Sequence, residues 1–421
     1  MSRRTEAGDR SQQVVWLDTG AHLPRFGSGC KQGLERRPQA FLKIGSLLQK
    51  EHRSVIIGMW FRLGFTVAQH GGVGHTSTDK EEITMQDNPV ALVTEANRGD
   101  HSMNKPINVA ENVAISAPTP VVSVSPVALS APGRAVDLQM RVSAPTTGRE
   151  LPIILLSHGH GHSNNLSSLN GYGPLANFWA AHGFVVIQPT HLDSKTLRLD
   201  PDDPEAPLYW RSRAEDMKRI LDQLDLIEAS VPEISGRLDR SRIAVAGHSL
   251  GGLTAGMLLG ERVTDPTDGS DVDLADSRIK AGVVLAAPGS GADLSAFAAA
   301  HYPVLRNLSF AEMTTPALVV AGDRDVNPAF SDRADYRADA YVLSPGPKCL
   351  LTLFGAEHIL GGISGYDAAE TTDENPARVA AVQRLTWAYL RTALYPEDPA
   401  WPTARAALMD GPNPLGRVEC K

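Results

Sequence analysis

The chain has 421 residues and a mass of 45.1 kDa; 42% of its residues are hydrophobic and 21% are charged. These values are typical of a globular protein and exclude a wholly disordered, collagen-like or disulfide-scaffold protein. The formal net charge of −8 argues against nucleic acid as the main partner, because phosphate binding needs an excess of basic side chains.

The first 84 residues differ in composition from the rest. They carry 12 basic and 8 acidic side chains, whereas the remaining residues carry 28 and 40, and no strand or helix period runs through them. We interpret residues 1–84 either as a disordered basic segment or as translated leader ahead of a start at Met85, because residues 80–84 can be encoded by a purine-rich ribosome-binding site. Residues 85–114 are a predicted N-terminal extension, 115–398 a predicted catalytic domain, and 399–421 a predicted C-terminal tail.

No segment of the sequence reads as a membrane span, which needs about 20 apolar residues in a helix. The most apolar early run, VIIGMWF at 55–61, ends at Arg62 and lies too far from Met1 for a signal peptide. We therefore expect a cytoplasmic protein. The three cysteines, Cys30, Cys349 and Cys420, are too few for a disulfide framework and match no zinc-site spacing. Cys349 is expected to pack within a strand.

Short apolar runs alternate with amphipathic helices after residue 120. Two segments that alternate apolar and polar residues, 122–125 and 136–142, predict half-buried strands joined by a turn. Continuous apolar runs are typical of strands buried on both faces of a parallel sheet, and they lie at 151–156, 184–187, 243–246, 281–285, 317–320 and 350–353. Helical spacing predicts helices over 210–229 and 378–395. The expected fold is α/β: a doubly wound, mostly parallel sheet with an antiparallel N-terminal edge and helices on both faces.

The sequence GHSLG at 247–251 matches the G-x-S-x-G pattern of a nucleophile elbow. It follows the strand at 243–246 and precedes a helix-compatible segment at 253–259, which is the strand–turn–helix context that the motif requires. Glycines allow the tight turn, and the N-terminus of the helix favours the negative charge that develops during acyl transfer. We therefore predict Ser249 as the nucleophile.

A serine nucleophile needs a base, and the base needs an acid that orients it. In this architecture the order along the chain is serine, acid, histidine. The strand at 317–320 leads into AGDRDVNP, where Asp325 is the predicted acid and Asp323 the alternative. The strand at 350–353 leads into FGAEH, and His358 is the only histidine after His301. His358 is therefore the predicted base.

The oxyanion of the reaction needs two backbone N–H donors. One is predicted from Leu250, directly after the nucleophile, and the other from His160 in the loop SHGHGHS at 157–163. The alternating His158, His160 and His162 leave a metal site as the alternative, although the glycines indicate a turn and no acidic ligand is close in sequence. We predict no metal and no organic cofactor.

Residues beside these motifs are candidates for substrate contacts. We expect His158 and His248 to contact substrate, and Tyr209 and Trp210 to line the pocket if the loop 193–209 forms a lid. A plain connection is the equal alternative for that loop. The aspartates of the loop 262–278 miss the spacing of a calcium-binding loop, so we interpret them as a solvated surface.

These motifs resemble the α/β-hydrolase superfamily over about residues 115–395. Within it the chain resembles the dienelactone hydrolase-like, chlorophyllase-like and platelet-activating-factor-acetylhydrolase-like group, on the segments LSHG at 156–159, AHGFVV at 181–186, RAED at 213–216, GHSLGG at 247–252, ADSRIKA at 275–281 and GDRD at 322–325. Ser249 departs from the cysteine nucleophile of dienelactone hydrolase. The resemblance implies a cofactor-free serine hydrolase that cleaves small-molecule carboxylic esters.

The expected reaction is attack of Ser249 on an ester carbonyl, followed by hydrolysis of an acyl-enzyme. An amidase, peptidase or acyltransferase with the same triad is the alternative reaction, because fold and triad alone do not choose between them. A non-catalytic binding module on the same scaffold is the alternative from another class. Such modules typically lose a triad residue, whereas Ser249, Asp325 and His358 are all present in the required order.

Overall fold

The computed structural model describes residues 115–421 except 201, 204, 366–367 and 410–413. The predictions for residues 1–84 and 85–114, including a start at Met85, lie outside the described residues.

The described strands form a nine-stranded sheet and a three-stranded sheet. In chain order the strands are β1 (Val121–Leu129), β2 (Leu138–Pro145), β3 (Leu151–Ser157), β4 (Val185–Pro189), β5 (Leu238–His248), β6 (Arg262–Thr264), β7 (Asp271–Val272), β8 (Ile279–Leu285), β9 (Leu308–Ser309), β10 (Ala317–Gly322), β11 (Lys348–Leu353) and β12 (Gly416–Cys420).

The α-helices of the described residues lie between these strands and after the last inner one. They are α1 (Gly173–Ala181), α2 (Trp210–Asp222), α3 (Leu224–Ser230), α4 (Leu250–Leu258), α5 (Ala296–His301), α6 (Asp339–Val342), α7 (Pro376–Leu394) and α8 (Ala400–Met409). None of the helices in this described part of the chain is both long and apolar enough to cross a membrane.

The large sheet has the strand order β1-β2-β4-β3-β5-β8-β10-β11-β12. The pairs β1–β2 and β2–β4 are antiparallel, whereas the neighbours from β4 to β11 are parallel. Each segment predicted as a strand corresponds to a strand of this sheet. The predicted doubly wound sheet with an antiparallel N-terminal edge is therefore confirmed.

Each face of the sheet has its own apolar core, because successive side chains of a strand point to opposite faces. In β3, Ile153 and Leu155 belong to one core, and Ile154 and Leu156 to the other. This is why the strand reads as a continuous apolar run. Helices α2 and α4 pack on the first core, and α1 and α7 on the second, which confirms helices on both faces.

The helix predicted over 210–229 is two helices in the structure. It is interrupted at Gln223, whose backbone has φ −119° and ψ 26°. The apolar spacing continues across the break, from Ile220 to Ile227, and both side chains are fully buried. No glycine or proline marks the interruption, so the sequence pattern alone indicates one continuous helix.

Residues 399–421, where we expected a tail, contain α8 and β12. Strand β12 pairs antiparallel with β11 and forms the second edge of the large sheet. Trp401 and Leu408 of α8 are buried in the core of the second face. An edge strand has a neighbour on one side only and can carry charged residues, so GRVEC at 416–420 lacks the continuous apolar run that marks the inner strands.

A disulfide joins Cys349 of β11 to Cys420 of β12, two residues that face each other in the strand register. Cys349 is buried, as expected, but it is bonded covalently rather than packed as a free thiol. Disulfides form and persist in oxidising compartments. This bond therefore favours such a compartment over the cytoplasmic location that we expected from the sequence.

Loss of this disulfide should lower the free energy of unfolding. The two cysteines are 71 residues apart, and in the chain-entropy model closing a loop of that size is worth about 4 kcal/mol. Urea denaturation of Cys349→Ala/Cys420→Ala should show this loss, and the wild type in dithiothreitol should match it. An unchanged urea midpoint in both samples would contradict a native disulfide.

The acidic loop 262–278 contributes to the three-stranded sheet of β6, β7 and β9. Its aspartates form ion pairs at the surface: Arg262 pairs with Asp271 and Asp273, and Asp265 pairs with Arg211. These side chains bond to arginines rather than converge on one point, which agrees with a solvated surface.

Candidate active site

The residues predicted for the triad and the oxyanion hole lie in or beside loops at one edge of the large sheet. These loops follow β3, β5, β10 and β11, which run parallel. The carboxyl ends of parallel strands share an edge, and loops at that edge form the usual binding crevice of open α/β sheets. The fold therefore gathers four segments that are distant in sequence.

Ser249 occupies the sharp turn between β5 and α4, with φ 56° and ψ −120°. A positive φ is unfavourable for a residue that carries a side chain, and such strain persists only where the surroundings impose it. Here the Ser249 N–H donates to the Leu285 carbonyl at 2.9 Å, which holds the turn against the end of β8. The serine is partly exposed.

Two glycines of GHSLG are required by close backbone approaches. A Cβ at Gly247 would lie 1.9 Å from the Gly251 carbonyl oxygen, and a Cβ at Gly251 would lie 2.2 Å from the Ser157 carbonyl oxygen. Any side chain at either position would push these backbones apart. The first turn of α4 consequently lies directly against the start of the loop 157–163.

His358 lies between Ser249 and Asp325. Its Nε2 is 2.9 Å from the Ser249 Oγ, and its Nδ1 is 2.8 Å from the Asp325 Oδ2. With the proton on Nδ1, the ring donates to the carboxylate and Nε2 accepts from the serine hydroxyl. Three side chains predicted from separate segments are thus joined in one hydrogen-bonded chain.

The Asp325 carboxylate is buried and contacts the His358 ring and the Arg337 guanidinium. The Arg337 Nε lies 3.2 Å from the same Oδ2 that His358 contacts. Burial alone would raise the pKa of the carboxyl, but the hydrogen bond and charge of His358, together with the charge of Arg337, hold the pKa of Asp325 below its usual value. Asp325 is therefore ionised at neutral pH and can stabilise an imidazolium at His358.

Asp323, the alternative acid, makes a different contact. Its Oδ1 accepts a hydrogen bond from the Gly355 N–H at 2.6 Å, and its side chain is exposed. It ties the loop after β10 to the loop that carries His358. Of the two aspartates, Asp325 is the one that faces the histidine ring.

Among the residues that the structure describes, no protein group accepts a hydrogen bond from the backbone N–H of His160 or of Leu250. The Leu250 N–H is at the first position of α4, where a helix offers no internal acceptor. None of the described residues accepts a hydrogen bond from the His160 N–H. Both groups are free to donate to a bound oxygen, and their role as the oxyanion hole stays a prediction.

His248, which we expected to contact substrate, is buried, with 1% exposure. Its Nε2–H donates to the His358 carbonyl at 2.7 Å, and its Nδ1 accepts from the Tyr172 hydroxyl at 2.8 Å. The Tyr172 oxygen in turn accepts from the Gly159 N–H at 3.0 Å. His248 therefore offers no exposed surface to a substrate. It instead links the loop that carries His358 to the loop 157–163.

His158 is also fully buried and cannot line the substrate site. Its Nδ1–H donates to the Gly159 carbonyl at 2.8 Å, and its Nε2 accepts a backbone N–H at 3.0 Å. His160 bonds instead to the Asp193 carboxylate at 3.0 Å, and the His162 side chain is 76% exposed. The three histidines of the alternative metal site thus have different partners. In the part of the chain that the structure describes, no three His, Cys, Asp or Glu side chains form a group that could hold a metal ion.

Tyr209 and Trp210, expected to line the pocket, lie elsewhere. Tyr209 lines a separate cavity with Arg134 and Glu205, and Trp210 packs in the apolar core of the first face. The loop 193–209 is anchored at its start, where the Ser194 hydroxyl donates to a backbone carbonyl at 2.8 Å. These contacts fit a connection with a fixed start better than a lid.

Several charged side chains buried beneath the loop 157–163 are missing from the predicted site. Arg213, Asp193 and Asp216 are each at most 7% exposed. One pattern in the sequence could have revealed Arg213. Arg213 lies four positions before the buried Met217, so the helical spacing places a charge on the apolar face of α2, where it needs a partner.

Because three histidines are buried, we expect the free energy of unfolding to fall in acid. Burial lowers the pKa of His158 and of His248 to about 3 and that of His191 well below its usual value. In the unfolded chain the value is about 6.5, so the unfolded chain binds protons that the native protein does not. The free energy of unfolding then falls below pH 6.5, by up to about 1.4 kcal/mol per pH unit for each histidine. Burial raises the pKa of Asp216 to about 6. In mild acid the native protein therefore binds a proton on this carboxyl that the unfolded chain lacks, which offsets part of the loss in the free energy of unfolding.

Urea denaturation at pH 7.5, 6.5 and 5.5 checks this expectation. Near pH 5.5 the three histidines and Asp216 together should take up about two protons on unfolding. On unfolding, the variant His248→Gln should take up about one proton fewer. The number of protons is measured as the slope of the free energy of unfolding against pH, so it does not depend on how stable the variant is. A urea midpoint that is the same at all three pH values would contradict neutral buried histidines.

The sequence is similar over limited segments to curated proteins, while no protein-family model matches it. Platelet-activating factor acetylhydrolase of Cavia porcellus is 25% identical over 27% of this chain and 33% of the relative. Cutinase est2 of Thermobifida alba is 29% identical and cutinase est1 of the same organism 28%, each over 44% of this chain and 47% of the relative. The chain therefore matches less than half the length of each relative.

These similarities agree with the architecture. The order of the large sheet, the antiparallel N-terminal edge and the serine turn between β5 and α4 are features of the α/β-hydrolase fold. The described part of the chain therefore has the α/β-hydrolase fold, and its partial sequence similarity to these relatives agrees with that fold.

Proposed function

We propose that this protein is a carboxylic ester hydrolase that works through Ser249, His358 and Asp325. The observation that carries the proposal is the position of His358, with Nε2 at 2.9 Å from the Ser249 Oγ and Nδ1 at 2.8 Å from the Asp325 carboxylate. The names of the relatives, an acetylhydrolase and two cutinases, support an ester as the substrate class.

In the first half of the reaction Ser249 Oγ attacks the ester carbonyl carbon, and His358 Nε2 takes the hydroxyl proton. Asp325 holds the Nδ1–H and stabilises the imidazolium. The oxyanion of the tetrahedral intermediate accepts hydrogen bonds from the N–H groups of His160 and Leu250. His358 then gives its proton to the leaving alcohol, and the acyl group stays on Ser249.

In the second half water replaces the alcohol. His358 takes a proton from water, the hydroxide attacks the acyl carbonyl, and the same donors stabilise the second oxyanion. Collapse of this intermediate returns the proton from His358 to Ser249 and releases the carboxylic acid. Every proton and bond in both halves is accounted for by the triad, the substrate and water.

Turnover of p-nitrophenyl acetate, butyrate, octanoate and palmitate tests the proposal, together with labelling by a fluorophosphonate probe. We expect turnover of at least one ester and covalent labelling of Ser249, located by peptide mass spectrometry. The chain-length profile then gives the size of the acyl site. Labelling with turnover of p-nitroanilides but of no ester would favour an amidase, and acyl transfer to an added alcohol faster than to water would favour an acyltransferase. A protein that neither labels nor turns over would contradict the proposal and favour a binding module.

A further inference from the structure

The side chain of Arg213 is fully buried at the start of α2 and makes four polar contacts. Its guanidinium donates to the Asp193 carboxylate, to the His158 carbonyl, to the Ser157 hydroxyl at 3.3 Å and to the Thr254 hydroxyl at 3.0 Å. An arginine has five N–H donors in a rigid planar fork. Four contacts in different directions therefore fix both the position and the orientation of the group.

Two of these contacts lead to the residue that supplies one predicted oxyanion donor. The His158 carbonyl belongs to the backbone two residues before His160. The Asp193 carboxylate, held by Arg213 on one oxygen, accepts from the His160 Nδ1–H on the other at 3.0 Å. Arg213 thus restrains the backbone of the loop directly and the ring of His160 through Asp193.

A further contact leads to the second predicted donor. The Thr254 hydroxyl, which accepts from the Arg213 Nε, donates to the Leu250 carbonyl at 3.1 Å. Leu250 is the first residue of α4, so this chain of two hydrogen bonds restrains the first turn of the helix. One guanidinium therefore connects both segments that carry the predicted donors.

The charges of this cluster balance locally. Arg213 and Asp193 form an ion pair with no exposure of either side chain. Burial by itself would raise the pKa of Asp193, but the charge of Arg213 holds that pKa well below its usual value. Because the pair is neutral overall, its effect on a reacting carbonyl is geometric more than electrostatic.

We propose that Arg213 is a positioning residue that sets the separation and direction of the His160 and Leu250 N–H groups. This inference rests on the proposed ester hydrolysis. A preorganised pair of donors stabilises the oxyanion more than the uncharged ester carbonyl. Loss of Arg213 should therefore lower kcat far more than it changes KM.

The test compares Arg213→Met with the double variant Arg213→Met/Asp193→Asn, which leaves no unpaired buried carboxylate. Turnover of p-nitrophenyl butyrate is expressed per active site, titrated to completion with diethyl p-nitrophenyl phosphate. We expect kcat per site to fall by about 10²–10³-fold, the loss typical of an oxyanion-hole donor, with KM within about threefold. Affinity for a trifluoromethyl ketone, which mimics the tetrahedral state, should fall by the same factor as kcat/KM.

Lys348→Met is the matched control. Lys348 is a buried cation that donates to the Met313 and Pro345 carbonyls, and it begins β11, at the end of the strand opposite the catalytic loops. We expect a lower melting temperature but an unchanged kcat per site. Should the Arg213 variants fail to fold, Thr254→Val removes the link from Arg213 to Leu250 but retains the Arg213 contacts to Asp193 and His158. It should lower kcat per site by about tenfold.

An unchanged kcat per site and unchanged ketone affinity in the folded variants would overturn the positioning role, because a structural role alone reduces only the number of active sites. A wild type without ester turnover would instead contradict the proposed function. The two failures are therefore distinguishable.

Discussion

Ser249→Ala should lower kcat for p-nitrophenyl butyrate by at least about 10⁴-fold, because the acyl-enzyme can no longer form and the remaining groups act only on a bound water. The same variant should show no labelling by the fluorophosphonate probe. Its fold should persist, since the Ser249 N–H bond to the Leu285 carbonyl is made by the backbone.

Ser290→Ala is the control for this substitution. Ser290 is also partly exposed, but its hydroxyl accepts from the Ala292 N–H and caps a short 3₁₀ helix. Its kcat should stay within about twofold of the wild type, as expected for surface changes. Equal rates in Ser249→Ala and the wild type would mean that another group is the nucleophile.

Asp325→Asn should lower kcat by about 10⁴-fold, the loss expected when the acid of such a triad becomes an amide. An amide at this position can donate to Nδ1 and so favours the tautomer in which Nε2 carries the proton. His358 could then no longer accept the proton of Ser249. The change is nearly isosteric, so burial at this position is maintained.

Asp323→Asn is the matched control, two residues away in the same turn. The amide oxygen can still accept from the Gly355 N–H, which is the contact that Asp323 makes. We expect its kcat to fall by less than about tenfold, which corresponds to one weakened hydrogen bond. Kinetics of both variants at one pH decide the assignment, and a larger loss in Asp323→Asn would transfer the role of acid to Asp323.

The sequence by itself determined the inner strands and, with them, the order along the chain of the three residues proposed as the triad. A strand buried on both faces must be apolar at successive positions, so β3 and β10 are visible as local runs. The serine turn is equally local, because Gly247 and Gly251 are needed where backbones approach within the reach of a Cβ. The acid and base follow from chain order once the strands are known.

Only the tertiary structure decided which polar side chains are buried. His158 and His248 are close in sequence to the predicted catalytic residues, yet each ring is buried and bonds to a distant segment. Arg213 is buried because Asp193 and Thr254 lie against it. Burial of a polar group depends on whether distant segments supply its hydrogen bonds, and no local period records that.

The same reason separates the edges of the sheet from its centre. Strand β12 is held by pairing with β11 and by the Cys349–Cys420 bond, contacts between residues far apart in sequence. The strand itself is short, and its residues are partly charged and half solvated, as an edge position allows. The sequence therefore determined the elements that can be recognised from their own residues. The tertiary structure decided the elements that depend on pairing with a distant segment.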